Sequence, residues 1–237
     1  MARQAVIRKK FLGEMHVKGS WLRDFILGWQ DGLVNVLGVV LGVAAASSEF
    51  RVVIIAAIAA AFAESISMAA VAYTSFKAEQ ESYLSEVNRE RCEVETMPKR
   101  EISEIRAIYR KLGFSGSLLE RIVSHITSDK KRWVNVMMEQ ELKLQPQKES
   151  PILTAAIVGI SAFIGSVIPV IPFLFLSVTD AIIPTLIIST IVLFFVGVYK
   201  AISTVGNPLR SGIEMALIGM MAAMAGYGVG SFFGVLV

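Results

Sequence analysis

Five long apolar stretches constrain this chain more than any other feature of its sequence. Each is about 20 residues long or slightly longer, enough for a helix to cross a hydrocarbon layer about 30 Å thick. Because lipid offers no hydrogen-bond partners, such segments satisfy their backbone groups internally as α-helices. The sequence therefore predicts an all-α membrane protein with five transmembrane helices. The stretches cover approximately residues 25–46, 52–75, 152–175, 180–202 and 212–236.

Charged residues are concentrated in one segment between the second and third apolar stretches. The 237-residue chain is 54% hydrophobic, with a mean hydropathy of +0.60, which is too apolar for an ordinary soluble domain. Segment 76–150 nevertheless carries 14 of the 23 basic and 13 of the 20 acidic residues. Its long runs without Gly or Pro predict an insert of three helices, the first an extension of the second spanning helix. We expect these domains: an amphipathic N-terminal segment 1–24, spans 1–2 in 25–75, the helical insert 76–150, and spans 3–5 in 151–237.

The distribution of Lys and Arg predicts the orientation. Six of these residues precede residue 25, 14 lie in the insert and two lie in 200–211, whereas the 47–51 loop holds only Arg51. Cytoplasmic loops carry the excess of such residues. The N-terminus, the insert and the 200–211 loop are therefore expected in the cytoplasm and the C-terminus on the other side, in a cell membrane. Residues 5–22 resemble an amphipathic helix lying on the membrane surface, or else a simple basic tail.

Acidic residues interrupt the first two apolar stretches. Asp31 lies inside the first, with Asn35 one turn later, and Glu64 lies one turn before Met68 in the second. Carboxylates in a bilayer usually face a partner, a pathway or a water-filled cavity. No Lys or Arg occurs in the middle of any stretch, so a cation supplied from outside is the better partner. The alternative is that Asp31 and Glu64 only form hydrogen bonds between helices.

The insert holds a second acidic group. Paired Glu residues on separate helices are oxygen ligands for divalent cations, and Met sulfur shifts the preference towards softer transition metals. The alternative is a solvated helix face with salt bridges, because Arg89, Arg91 and Arg106 stand nearby. The pattern comprises Glu79, Glu86, Glu90 and Glu93 on one helix face, the pair Glu101 and Glu104, and the pair Met137 and Glu141 with Met138 and Glu139 between them.

Other chemistries find little support in the sequence. There is no phosphate-binding Gly-x-x-x-x-Gly-Lys loop and no Cys or His pair for zinc. Neither acidic pair continues as Glu-x-x-His, which a di-iron oxidase would need. An enzyme that requires a cofactor is therefore not expected, and the modest net charge of +3 predicts no nucleic-acid partner.

The motifs resemble those of the vacuolar iron transporter family. The resemblance rests on "RDFILGWQDGLVNVLGVVLG" and "ESISMAAVAY" in the first two spans and "MMEQELKL" in the insert. It continues with "GSVIPVIPFLF" in the third span and "GNPLRSGIEMALIG" entering the fifth. The resemblance implies a five-span homodimer that exports Fe²⁺ from the cytosol, commonly in exchange for protons. The motifs that carry the resemblance cover nearly the whole chain from about residue 22.

The resemblance also implies roles for particular residues. Asp31 and Met68 take the pore metal positions. The chain departs from the family at two positions. The family commonly has an acid where this chain has Ala60, and Glu64 is the substitute for it. The family often has Glu where this chain has Met138, and Glu139 comes next in this chain. The cytoplasmic metal positions fall on Glu90, Glu93, Glu101, Glu104, Met137 and Glu141.

These observations predict a transporter of Fe²⁺, and possibly of Mn²⁺ or Co²⁺, without a resident cofactor. The pore site is Asp31, Glu64 and Met68, and the insert gathers metal through its glutamates and methionines. Metal and protons compete for the same carboxylates, which is the simplest basis for antiport. The alternative is a membrane-anchored metal sensor or buffer, in which the insert binds metal and nothing crosses.

Overall fold

The described part of the chain is helical throughout and contains no strand. The computed structural model describes residues 18–147, 149–203 and 206–234, with side chains from residue 21 onward. A π-helical turn, Met137–Glu141, continues the fifth helix, and a 3₁₀-helix, Ile168–Leu174, continues the sixth. The α-helices are α1 (Lys18–Ala46), α2 (Phe50–Thr96), α3 (Pro98–Lys111), α4 (Gly116–Thr127), α5 (Lys130–Val136), α6 (Pro151–Val167), α7 (Val178–Ser203) and α8 (Pro208–Gly234).

The membrane prediction is confirmed. Among the described residues, five helical segments are long and apolar enough to cross a membrane. Large apolar side chains such as Ile66 and Phe195 lie on their outer surfaces, as expected where lipid is the solvent. The five segments are Trp21–Ala46, Phe50–Thr96, Pro151–Leu174, Val178–Ser203 and Pro208–Gly234.

Two boundaries differ from the sequence prediction. Helix α1 already includes Lys18, well before residue 25, and the rest of the predicted amphipathic segment lies outside the described residues. The third span is not a continuous α-helix, because α6 gives way to 3₁₀ geometry at Ile168. Pro169 and Pro172 cause this change, since neither has the N–H group that an α-helical hydrogen bond requires.

Helix α1 lies at the centre of the membrane part of the fold, between α6 and α8. Its side chains Leu33, Leu37 and Val40 are fully buried and form much of the apolar core. Glycines allow the backbones to approach closely, because a Cβ at Gly32 would collide with the carbonyl oxygen of Ala162. This packing fixes the part of α1 that carries Asp31.

The chain forms two compact units. The membrane unit comprises the described residues up to Tyr73 and from Ser150 onward, and the insert unit comprises Thr74–Glu149. The insert unit contains the end of α2 and three further helices, so the predicted count of three is one short. The additional break occurs at Asp129, whose carboxylate accepts a hydrogen bond of 2.7 Å from the backbone N–H of Arg132 and so begins α5.

The insert unit has its own apolar core. Ile105 of α3, Val123 of α4 and Trp133 of α5 are buried against one another, and Met137 and Met138 of the π-helical turn join them. Burial of these side chains holds the four helical segments together. The same packing positions the acidic residues that the helices carry.

Candidate metal sites

The membrane unit brings three polar side chains of α1 and α2 together. The side chain of Glu64 lies within hydrogen-bonding reach of Asp31 and Asn35. Asp31 and Glu64 are half-buried in the single chain, whereas Asn35 is exposed. The arrangement provides oxygen ligands for a cation within a spanning region.

Met68 lies on the same helix as Glu64 and one turn after it, at a half-buried position. Side chains four residues apart share a helix face, so the thioether and the carboxylate point to the same side of α2. Ala60, one turn before Glu64, packs against the apolar core of the membrane unit. The acid on α2, Glu64, therefore lies one turn before Met68, whereas the family's common acid position, Ala60, lies two turns before it.

The insert unit brings glutamates from two helices to one point. Glu90 and Glu93 lie near the end of α2, and Glu101 lies in the first turn of α3. One carboxylate oxygen from each of the three lies within 4.8 Å of the others, close enough to share a metal ion. Glu90 is 2% exposed and Glu101 is 0% exposed. We call Glu90, Glu93 and Glu101 the glutamate cluster.

Buried carboxylate oxygens in the glutamate cluster have no partner. Both side-chain oxygens of Glu101 and Oε2 of Glu90 are buried and accept no hydrogen bond within the described residues. Such atoms are rare in folded proteins, because desolvation without a partner is costly. A bound cation supplies the missing interaction, so these atoms are the best evidence in the chain for a metal site.

The electrostatics of the glutamate cluster agree with this interpretation. Burial, followed by the charges of Glu104, Glu90, Glu93 and Glu141, raises the pKa of the Glu101 carboxyl to about 7. Burial and the charge of Glu93 also raise the pKa of Glu90. Carboxyl groups held together in this way bind protons or cations more readily than isolated ones do.

Two further glutamates lie near the glutamate cluster. Glu104 is one turn after Glu101 on α3, and Glu141 ends the π-helical turn. Although Glu141 is an exposed residue, partial desolvation and then the charges of Glu104 and Glu90 raise the pKa of its carboxyl. Glu139 is exposed. The charge of Glu141 also contributes to the raised pKa of Glu101, so Glu141 lies near the cluster.

The methionine segment, Met137–Glu141, is a π-helical turn. The N–H of Leu142 donates to the carbonyl oxygen of Met137, five residues earlier, at 3.2 Å. Met137 and Met138 are 0% and 1% exposed and both pack into the apolar core of the insert unit. Short π-helical turns inside helices frequently occur at functional sites.

Sequence reasoning did not identify one buried acid of α1. Asp24 is 3% exposed, and its Oδ2 is buried without a partner among the described residues, while Oδ1 accepts from exposed Arg23 at 3.1 Å. Asp24 lies seven residues before Asp31 on the same face of α1, a spacing that the sequence does show. Arg89, which the sequence indicated for the salt-bridge alternative, contacts Glu90 and Glu93 of the glutamate cluster directly.

The raised pKa of Glu101 predicts how stability depends on pH without metal. A carboxyl with a higher pKa in the folded protein binds its proton more tightly there, so protonation stabilises the fold. This stabilisation is complete below the ordinary pKa of 4.5 and is lost as the pH rises through about 7. We expect a higher unfolding temperature at pH 5.5 than at pH 8, and Glu101→Gln should remove on the order of 1–3 kcal/mol of that difference.

Thermal unfolding of the purified full chain, followed by circular dichroism in a chelating buffer, measures this effect. Glu81→Gln is the matched control, because Glu81 is an exposed acid on the same helix as Glu90. An equal pH dependence in wild type and Glu101→Gln would contradict the prediction.

The fold and the two acidic groups define a class of protein. A bundle of five helices able to span a membrane, with carboxylates inside the spanning region, is typical of a membrane transporter of cations. A sequence model of the VIT family matches residues 22–231. The chain therefore belongs to the VIT family and is a transporter, not an enzyme, as predicted.

Curated relatives are similar over most of their length. "Vacuolar iron transporter 1" from Arabidopsis thaliana is 30% identical over 211 residues, which cover 88% of this chain and 84% of the relative. "Vacuolar iron transporter" from Centaurea cyanus is 29% identical, covering 89% and 87%. A protein with the same name from Plasmodium falciparum is 29% identical, covering 88% and 81%. The predicted resemblance to this family is confirmed.

Proposed function

We propose that this chain exports Fe²⁺ from the cytosol through a site formed by Asp31, Glu64 and Met68. The observation that carries this proposal is the pair of carboxyl groups, on α1 and α2, that meet inside a region able to span a membrane. Family membership and relatives named as iron transporters support iron as the substrate. Mn²⁺ and Co²⁺ accept similar ligands and are the next candidates.

The proposed chemistry follows from the ligand types. Fe²⁺ must lose part of its water shell to enter a bilayer, and two carboxylates with a thioether replace some of those waters. The same carboxylates bind protons when no metal is present. Exchange of bound Fe²⁺ for protons at these carboxylates couples metal export to proton entry, which is the antiport that we propose.

The proposed transporter is a homodimer. One chain offers two carboxyl groups and one thioether, and Asp31, Glu64 and Met68 are only half-buried in that chain. A second copy related by two-fold symmetry covers these side chains and doubles the ligands. The polar face of α1 and α2 would then line a path between the two subunits.

The glutamate cluster has a separate proposed role on the cytoplasmic side. The proposed orientation has the N-terminus and the insert unit in the cytoplasm and the C-terminus on the other side of a cell membrane, and the excess of Lys and Arg in the first two supports the orientation. The cluster, with Glu104, Glu141, Met137 and Met138, gathers metal ions there before transport. The unpartnered oxygens of Glu101 support this role.

A metal sensor or buffer is the second candidate function. It is favoured by one observation, the compact insert unit with buried metal-ligand geometry of its own. A sensor has no use for the carboxyl groups of Asp31 and Glu64 inside the membrane unit. Removal of Glu101 and Glu104 should abolish sensing but only slow a transporter.

The direct test is metal flux in sealed liposomes that contain the purified full chain and an internal pH dye. We expect Fe²⁺ to enter when the liposome interior is more acidic than the outside, with protons leaving at the same time. Empty liposomes and a calcium gradient are the controls. Metal binding without flux under any pH gradient would contradict transport and support the sensor.

A further inference from the structure

One arginine lies against the glutamate cluster. The Arg89 Nη2 atom lies 2.8 Å from Glu86 Oε2 and 3.4 Å from Glu90 Oε1, and its Nε lies 3.9 Å from Glu93 Oε1. Two of these three acids belong to the glutamate cluster. The guanidinium therefore provides positive charge at a point where a metal ion would provide it.

Arg89 leaves part of the glutamate cluster unsatisfied. It engages Oε1 of Glu90, while Oε2 of the same residue and both oxygens of Glu101 stay buried without a partner in the part of the chain that the structure describes. The Arg89 side chain is 52% exposed, whereas that of Glu90 is 2% exposed. The Arg89 guanidinium can therefore move into solvent, but the Glu90 carboxylate cannot leave the protein interior.

We infer that Arg89 is a tethered counter-ion that lowers the affinity of the glutamate cluster for divalent metal. It partly neutralises the cluster before metal binds, and its positive charge repels the incoming ion at short range. The inference rests on the proposed metal-binding role of the cluster and adds a residue that regulates it.

Transport explains why a lower affinity is useful. An ion site on a transport path must bind well enough to load but weakly enough to unload. The affinity of a carboxylate site for a divalent cation such as Ca²⁺ is tuned by the number of ligand charges. Arg89 supplies a compensating positive charge from the same helix, one residue before Glu90.

A second arginine shows that the chain offers a matched control. Arg106 of α3 is also in the insert unit and forms a bidentate pair with Glu120, with both N–O distances at 2.9 Å. That pair includes none of the glutamates of the cluster. Arg106→Gln therefore removes an equal charge and an ion pair from the same unit without altering the immediate surroundings of the cluster.

The test is Mn²⁺ binding to the full chain in lipid nanodiscs at pH 7, measured from the electron paramagnetic resonance signal of free Mn²⁺. Binding that Glu101→Gln removes is assigned to the cluster. We expect Arg89→Gln to tighten that binding about tenfold, from loss of one positive charge near a divalent ion. Arg89→Lys keeps the charge, so it and Arg106→Gln should stay within about twofold of wild type. Circular dichroism verifies that each variant is folded.

The outcomes separate this inference from the proposed function. Tighter binding in Arg89→Gln alone supports a counter-ion. Unchanged or weaker binding in Arg89→Gln, while wild type binds Mn²⁺, overturns it and leaves the metal-binding role intact, because Arg89 would then only hold the glutamates in place. No difference between wild type and Glu101→Gln overturns both.

Discussion

Asp31→Asn is expected to lower Fe²⁺ flux by about a hundredfold, because losing one charge from a buried ion site costs about 3 kcal/mol. The substitution keeps the shape of the side chain and its reach towards Glu64, but it removes the negative charge that compensates for lost water around the metal. The measurement is metal entry into liposomes at several Fe²⁺ concentrations, with proton movement recorded in the same vesicles.

Two variants make this result interpretable. Asp31→Glu keeps a carboxylate on α1 and should retain more flux than Asp31→Asn, although its longer side chain shifts the oxygens. Glu49→Gln removes an exposed acid from the loop between α1 and α2 and should leave flux unchanged. Normal flux in Asp31→Asn, with protein levels equal to wild type, would exclude Asp31 from the metal path.

The second large effect is expected at Gly32, where α1 meets α6. A Cβ there would collide with the carbonyl oxygen of Ala162 and lie 2.7 Å from its carbonyl carbon and 2.8 Å from Ser166 Oγ. The obstacles are mostly backbone atoms, so the two helices must separate. Gly32→Ala should lower the unfolding temperature by about 10 °C, since such overpacking costs about 3 kcal/mol.

A glycine without close neighbours provides the comparison. A Cβ at Gly228 of α8 would meet no atom within 4 Å. Gly228→Ala should therefore leave the unfolding temperature unchanged or raise it slightly, since Ala favours the helix more than Gly does. Fluorescence-detected size exclusion after heating measures both variants in detergent. Equal unfolding temperatures for Gly32→Ala and Gly228→Ala would show that the α1–α6 contact can relax.

The Gly32→Ala substitution also links packing to transport. Gly32 follows Asp31 directly, so separating α1 from α6 also displaces the Asp31 carboxylate. We expect the fraction of Gly32→Ala that stays folded to transport Fe²⁺ more slowly than wild type. Flux equal to wild type per folded molecule would show that the site tolerates this displacement.

The sequence alone determined the class of fold. Length and apolarity decide whether a segment can lie in lipid, and both are visible without a structure, so the five spanning helices were predicted at nearly their observed positions. Periodicity placed Glu90 and Glu93 on one face of α2 and Glu101 and Glu104 on one face of α3. The family was likewise visible from motifs, because it depends on residue identities and not on geometry.

Only the tertiary structure decided which of these groups meet. Helix periodicity assigns residues to a face but does not say which faces are packed together, so it could not show that Glu141 lies near Glu101 of a different helix. Periodicity did anticipate salt bridges from Arg89 to glutamates of its own helix, but not that Glu101 of α3 meets Glu90 and Glu93 of α2. The interactions that matter at such a site act over a few ångströms between different helices, and that distance is set by packing of the whole unit.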